Sequence, residues 1–369
     1  MRRQRRIGPL ALAATLAAAC ASTPAAAPTR RPQGPHAVRE GEGFHIIGQQ
    51  SPGGAGDAYD ATLLFDRAVA AMREGRCDEA SLALTRITAE FAGTRWERPA
   101  WYNRGICAQR GRHWPDAAQA FREASRAADD PSLTRDAWFR LAVVGESASQ
   151  TEWVIEAADA LLGRRELTLT DRVEALARRA AAQLARNDLD LAERDANEAI
   201  SLCTTAQIAT ALDDDTHAAE ARVVGAEVTR LRAAAVTFTA DAPDSEARIT
   251  QRANLVIHAH AQYNDAIRAG NPHWAAAAGF RIGEIYRDFY NAILDAPMPQ
   301  DWEPATREAY RRRVRERLRV LLQGAIRAWE ATMAMARRTG ITDNSWTRRA
   351  EEALNELRSR VLDEESTRH

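Results

Sequence analysis

The chain has 369 residues, with 50 basic residues, all of them Arg, against 51 acidic ones, and 45% of it is apolar. The length allows about two domains of ~150 residues each, and the apolar fraction excludes wholesale disorder. Without residues 1–19 the balance is 46 basic to 51 acidic, a net charge of −5; no nucleic-acid partner is expected, since such a partner requires a net basic face to neutralise phosphates.

Arg2, Arg3, Arg5 and Arg6 make a basic start, and residues 7–19 form an apolar stretch. That stretch is too short for the ~30 Å of a bilayer core but suits the hydrophobic region of an export signal. It ends in Leu16-Ala17-Ala18-Ala19-Cys20. Small residues before a single Cys resemble the lipobox of bacterial lipoproteins, although that family prefers Leu where Ala17 stands, and Leu16 lies one step further out. The resemblance implies a lipoprotein signal peptide over 1–19 and lipidation of Cys20. Several acyl chains on one residue give stable anchoring, at ~0.8 kcal/mol per buried CH₂. Ala21 in place of Asp after the Cys implies passage to the outer membrane, with the protein facing the periplasm. The alternative is ordinary cleavage after an Ala-x-Ala-like site, which would leave Cys20 as a stranded thiol. No later segment is apolar enough to cross a bilayer.

Residues 20–56 carry Pro24, Pro28, Pro32, Pro35 and Pro52 with Gly-rich runs. They are expected to be a disordered tether, because such composition buries too little surface to offset ordering entropy. Gly41-x-Gly43 is no phosphate loop: no strand precedes it and no helix follows at once.

From Asp57 onward the pattern is helical, with apolar residues three and four apart. Leu64-Phe65, Trp101-Tyr102 and Trp138-Phe139 recur every 37 residues, each followed four places on by a small residue: Ala68, Gly105 and Ala142. Turns are expected at Gly75, at Gly111 and within 146–151. Second helices then present Ala80, Leu84 and Ile87, or Ala117, Phe121 and Ala124. The run Trp101-Tyr102-Asn103-Arg104-Gly105, with Ala117, Phe121 and Ala124 downstream, resembles a tetratricopeptide repeat. A fourth, degenerate unit covers 176–199, with its turn at Asn187-Asp188. The usual period of that family is about 34 residues, so each unit here is longer, with the excess expected in the connections 90–98 and 129–134. The resemblance implies an all-α fold, an α-solenoid of helix pairs over 57–203.

Residues 204–369 are expected to continue as a divergent helical region of the same kind. Candidate helices are 217–235, 245–270, 272–294, 304–339 and a capping helix over 344–362. The string from Trp274 through Phe280-Arg281-Ile282-Gly283-Glu284-Ile285-Tyr286 to Ala296-Pro297-Met298-Pro299 and Tyr310 is similar to the C-terminal part of repeat proteins of myxobacteria. Some of those serve envelope assembly or surface motility, and the resemblance implies such a role.

No catalytic signature is present: no HExxH, GxSxG, Walker loop or paired CxxC. His258 and His260 point in opposed directions on a helix and cannot share a metal. Asp213-Asp214-Asp215 suits the charging of a helix N-terminus better than a calcium loop, whose other ligands are missing. No cofactor or metal is expected. Cys77 and Cys107 are either a bridge between neighbouring repeats or two small buried hydrophobes, and Cys203 has no obvious partner. The Arg-rich run 307–319 is a solvated face or a basic surface toward anionic lipid or a partner. The best carboxylate pair is Glu284 and Asp288, i and i+4 on one helix.

In tetratricopeptide folds the first helix of each unit lines a concave surface. The resemblance places Phe65, Tyr102 and Phe139 there, then Val69, Ile106 and Val143, with Arg73 and Arg110 toward the far end. An aromatic row beside an aliphatic row suits a helix or extended segment of another envelope protein; filling from within by the chain itself is the alternative. The family's clamp for a peptide carboxylate is excluded, because Asn103 and Arg140 meet two of its five places while Phe65, Val69 and Asp136 occupy the others. The expected function is a non-enzymatic scaffold lipid-anchored in the bacterial envelope; the alternative is a cell-wall hydrolase whose active site is not recognisable.

Overall fold

The computed structural model describes residues 57–205, 216–240 and 242–366. The signal segment 1–19, Cys20, the tether 20–56 and the triplet 213–215 lie outside the described residues. Among the described residues there are thirteen helices and no strand, an all-α solenoid in which neighbours in sequence pack as neighbours in space. The chain divides into two compact units between Leu202 and Cys203.

The first unit is four helix pairs: α1 (Asp57–Arg73) with α2 (Cys77–Glu90), α3 (Glu97–Arg110) with α4 (Trp114–Ala124), α5 (Pro131–Ser147) with α6 (Thr151–Leu162), and α7 (Leu169–Ala185) with α8 (Leu189–Thr205). From α2 to α7 each helix packs on the one before it, and Arg179 of α7 reaches Asp195 of α8 at 2.6 Å. Each pair turns through the same backbone device. A residue with positive φ stands at Gly75, Arg112, Ser149 and Asn187. The following N–H returns to the carbonyl five residues back: Arg76 to Ala71 (2.8 Å), His113 to Ala108 (2.9 Å), Gln150 to Gly145 (2.8 Å) and Asp188 to Gln183 (2.9 Å). This is the Schellman closure, in which a left-handed residue lets the chain satisfy the last carbonyls of a helix. The turn expected at Gly111 is centred one residue later, with Gly111 itself right-handed at φ −76°; the turn of the third pair falls inside the expected window.

Helix starts follow the capping chemistry of the sequence. The Asp130 carboxylate accepts from the Leu133 N–H at 2.9 Å, with Pro131 in the first turn of α5. Thr168 and Asp171 form a reciprocal capping box at α7. Within pairs, small residues allow close approach: a Cβ added at Gly105 would lie 2.6 Å from the Phe121 ring. The core of this unit gathers Phe65, Met72, Leu84, Ile87, Trp96, Tyr102, Ile106, Phe121 and Leu141.

The second unit contains α9 (Thr216–Ala235), α10 (Ser245–Arg268), α11 (Pro272–Leu294), α12 (Pro304–Thr339) and α13 (Ser345–Ser366). These match the expected helices to within a few residues. Asn271 caps α11 by accepting from the Trp274 N–H at 3.1 Å, and Gly340 at φ +74° ends α12. Helix α11 is the hub, packing on α9, α10, α12 and α13. Its Gly279 and Gly283, one turn apart, leave room for Thr332 and Trp329 of α12. The fully buried Trp329 then donates its indole N–H to the Phe280 carbonyl at 2.9 Å. The loop after α9 is pinned to the loop after α11, with the Ala240 N–H donating to the Pro297 carbonyl at 2.8 Å.

Candidate functional site

Among the first helices of the first unit, α3 touches α5 and α5 touches α7, more closely than the second helices touch one another. They are therefore the inner row, where a groove should lie. The residues assigned to that groove separate into two groups. Phe65 (0% exposed), Val69, Tyr102 (2%) and Ile106 are in the core. Phe65 packs on Trp96 with ring centroids 5.1 Å apart, and Tyr102 meets Phe121 edge-on at 5.6 Å. These four side chains do not line a surface, and the aromatic row as a docking strip is corrected on that ground. The physical reason lies in the connection 91–96, which brings Trp96 down over Phe65. The row is filled from within.

Phe139 and Val143 of α5 are half-buried and still reach solvent. Arg110 is exposed, but its guanidinium is engaged: it donates to the Met72 carbonyl at 3.1 Å and closes the end of α1.

What the first helices do carry is a polar ladder in register with the repeat. Asn103, Arg140 and Arg178 are buried, with Asn103 and Arg140 separated by the 37-residue period. Gln109 and Glu146 hold a second equivalent position, and Gln183 lies one residue before its counterpart in the fourth pair. Arg178 grips both oxygens of Glu146 at 2.6 Å and reaches Glu174 at 2.9 Å. The Oε1 atoms of Gln109 and Gln183 are buried without a hydrogen-bond partner, each an acceptor whose desolvation costs about 1–3 kcal/mol. Sequence reasoning touched this ladder only through Asn103 and Arg140; the period itself was the signal for the other members.

In the second unit, buried charge concentrates around Glu227 of α9. It accepts from the Tyr263 hydroxyl of α10 at 2.5 Å, from Arg281 Nε of α11 at 2.8 Å and from Arg230 at 2.9 Å. Burial, reinforced by the Glu227 charge, holds the Tyr263 hydroxyl well above the ordinary phenol range. Glu284 is paired with Arg281 and Arg287, and Asp288 with Arg287 at 3.0 Å. Both members of the best carboxylate pair are thus ion-paired with guanidinium groups. His258 is exposed, whereas His260 is half-buried against the Tyr286 hydroxyl at 3.1 Å, and burial lowers its pKa. Among the described residues no group of three or more His, Cys, Asp or Glu could hold a metal ion.

No family model and no curated protein matches the chain.

The Arg-rich run on α12 lies at the surface, which suits a solvated face and a basic surface toward a partner alike. Arg311, Arg312, Arg313 and Arg317 are exposed while Val314 and Leu318 are buried beneath them, and Arg315 pairs with Glu308 at 3.2 Å. Among the described residues no helix is long and apolar enough to cross a membrane.

Proposed function

We propose that the chain is a non-enzymatic scaffold of the bacterial cell envelope, anchored through lipid on Cys20, whose first unit holds another envelope protein. The single observation that supports it is the regular stack of four helix pairs closed by one repeated turn. A one-dimensional stack of this kind builds extended surface without building a pocket, and it resembles the tetratricopeptide architecture that the repeat motifs suggested. The lipobox-like Leu16 to Cys20 supports the address.

The accessible apolar side chains on the inner row, Phe139 and Val143, are where a partner segment is expected to dock. The test is crosslinking and pull-down from envelope fractions with Phe139→Glu and Val143→Glu. Loss of one specific partner, with helical content and thermal midpoint unchanged, is the expected result. An identical partner set for the variant and the parent chain overturns the docking site. Charged replacements of Tyr102 or Ile106 would not serve, because both are core residues. Substitution Cys20→Ala is expected to move the protein from the detergent phase to the aqueous phase on detergent partitioning; retention in the detergent phase would overturn the anchor.

A further inference from the structure

The first and second helix pairs meet at two cysteines. Cys77 opens α2 and is half-buried, while Cys107 sits on α3, one turn before its end, and is buried. The two thiols lie near enough to act on each other electrostatically, and Ser81, one turn after Cys77 on the same helix, also acts on Cys107. Arg110, one turn after Cys107, brings its guanidinium to 4.0 Å from the Cys77 sulfur. Helices α2 and α3 pack on each other, so the two thiols stand across one junction, where a sulfur–sulfur bond of ~2.05 Å would join the pairs.

The repeat shows that packing alone does not call for sulfur here. The positions equivalent to Cys77 and Cys107 are Trp114 and Val144 at the next junction, then Thr151 and Ala182. Helix pairs fold just as well at those junctions without any thiol. The first pair also has only one described neighbouring pair to pack on, which is where a stack of repeats frays most readily.

We propose that Cys77 and Cys107 form an intrachain disulfide, by exchange with a disulfide-bearing oxidant, that fastens the first helix pair to the second. The half-buried Cys77 is the sulfur a donor can reach. As thiolate it attacks one sulfur of the donor disulfide, joining that sulfur and releasing the other as a thiol. Cys107 then gives up its proton and displaces the donor sulfur from Cys77, forming the Cys77–Cys107 bond. Two thiols of the chain lose two electrons, and one donor disulfide becomes two thiols. Burial pushes the Cys107 thiol up, so Cys77 rather than Cys107 meets the donor first.

The chemistry belongs to the two side chains and does not depend on the export reading, which supplies only an oxidising compartment. A chain retained in the cytoplasm would overturn that reading and still close its bridge in oxidising buffer.

The test equilibrates the reduced, full-length chain with oxidised glutathione, blocks remaining thiols by alkylation under denaturing conditions, and digests with trypsin without reduction. Peptides 77–86 and 105–110 are expected as one linked species, lost on treatment with reductant, with Cys203 alkylated. In Cys107→Val, which carries the residue found at the equivalent position 144, Cys77 is expected to accumulate as an unresolved glutathione adduct. Recovery of that adduct in the parent chain, or of Cys77 and Cys107 both alkylated after full equilibration, overturns the proposal.

Discussion

Arg112 holds a φ of +58° at the place where the first turn has Gly75 at +78°. The left-handed conformation crowds Cβ against the carbonyl oxygen of a non-glycine residue, at a cost of about 1–2 kcal/mol. Glycine removes that crowding but loses more backbone entropy on folding, about 0.5–1 kcal/mol. Arg112 is exposed, so its side chain gives up little packing. Arg112→Gly is therefore expected to stabilise the chain by about 0.5–1 kcal/mol, read as a higher urea midpoint with an unchanged slope. A lower midpoint would show that the guanidinium contributes more than the turn strain removes. The same residue explains why the turn was misplaced by one position on sequence grounds. Gly111 carries the residue type that a turn favours, but the backbone uses it as the right-handed step before the left-handed one.

Between elements, the tightest junction is α11 on α12. A Cβ at Gly283 would overlap the Trp329 indole, whose N–H is committed to the Phe280 carbonyl at 2.9 Å. Trp329 is fully buried and has no open side toward which to retreat. Gly283→Ala is expected to destabilise the chain by about 2–4 kcal/mol, combining overpacking with loss of one buried hydrogen bond. The check is chemical denaturation, together with a red shift of tryptophan emission as the indole is displaced. An unshifted midpoint would mean the two helices slide apart freely.

Helix order and boundaries were legible because large, small and turn residues recur in phase, and because Asn271, Pro272 and Pro304 mark helix starts chemically. The groove face was not. Periodicity places Phe65 and Tyr102 on one side of a helix, yet which side a neighbour covers depends on the connection that follows. Trp96 closes over Phe65 from a loop whose excess length was visible but whose path was not. The polar ladder escaped for a related reason. Arg178 stands 38 rather than 37 residues after Arg140, and each polar residue alone reads as solvated surface.

In the first unit, side-chain ion pairs link near neighbours in the stack. Arg122 of α4 reaches Glu156 of α6 at 2.6 Å, Arg178 of α7 reaches Glu146 of α5, and Arg179 of α7 reaches Asp159 of α6 and Asp195 of α8 at 2.6 Å each. Asp195 is fully buried, so its charge depends on Arg179 and on Arg194 at 3.3 Å. Removing one partner of such a pair typically costs about 3–5 kcal/mol, lowered here because Arg179 keeps Asp159. In a fold where every contact reaches only the next pair, that loss stays local, as in a one-dimensional chain of coupled units. Asp195→Ala is expected to raise amide hydrogen exchange several-fold across α7 and α8 while α1 to α4 keep their protection. A uniform rise over all eight helices would show that the unit unfolds as one cooperative body. In that case the stack could not yield one pair to a partner while holding the rest.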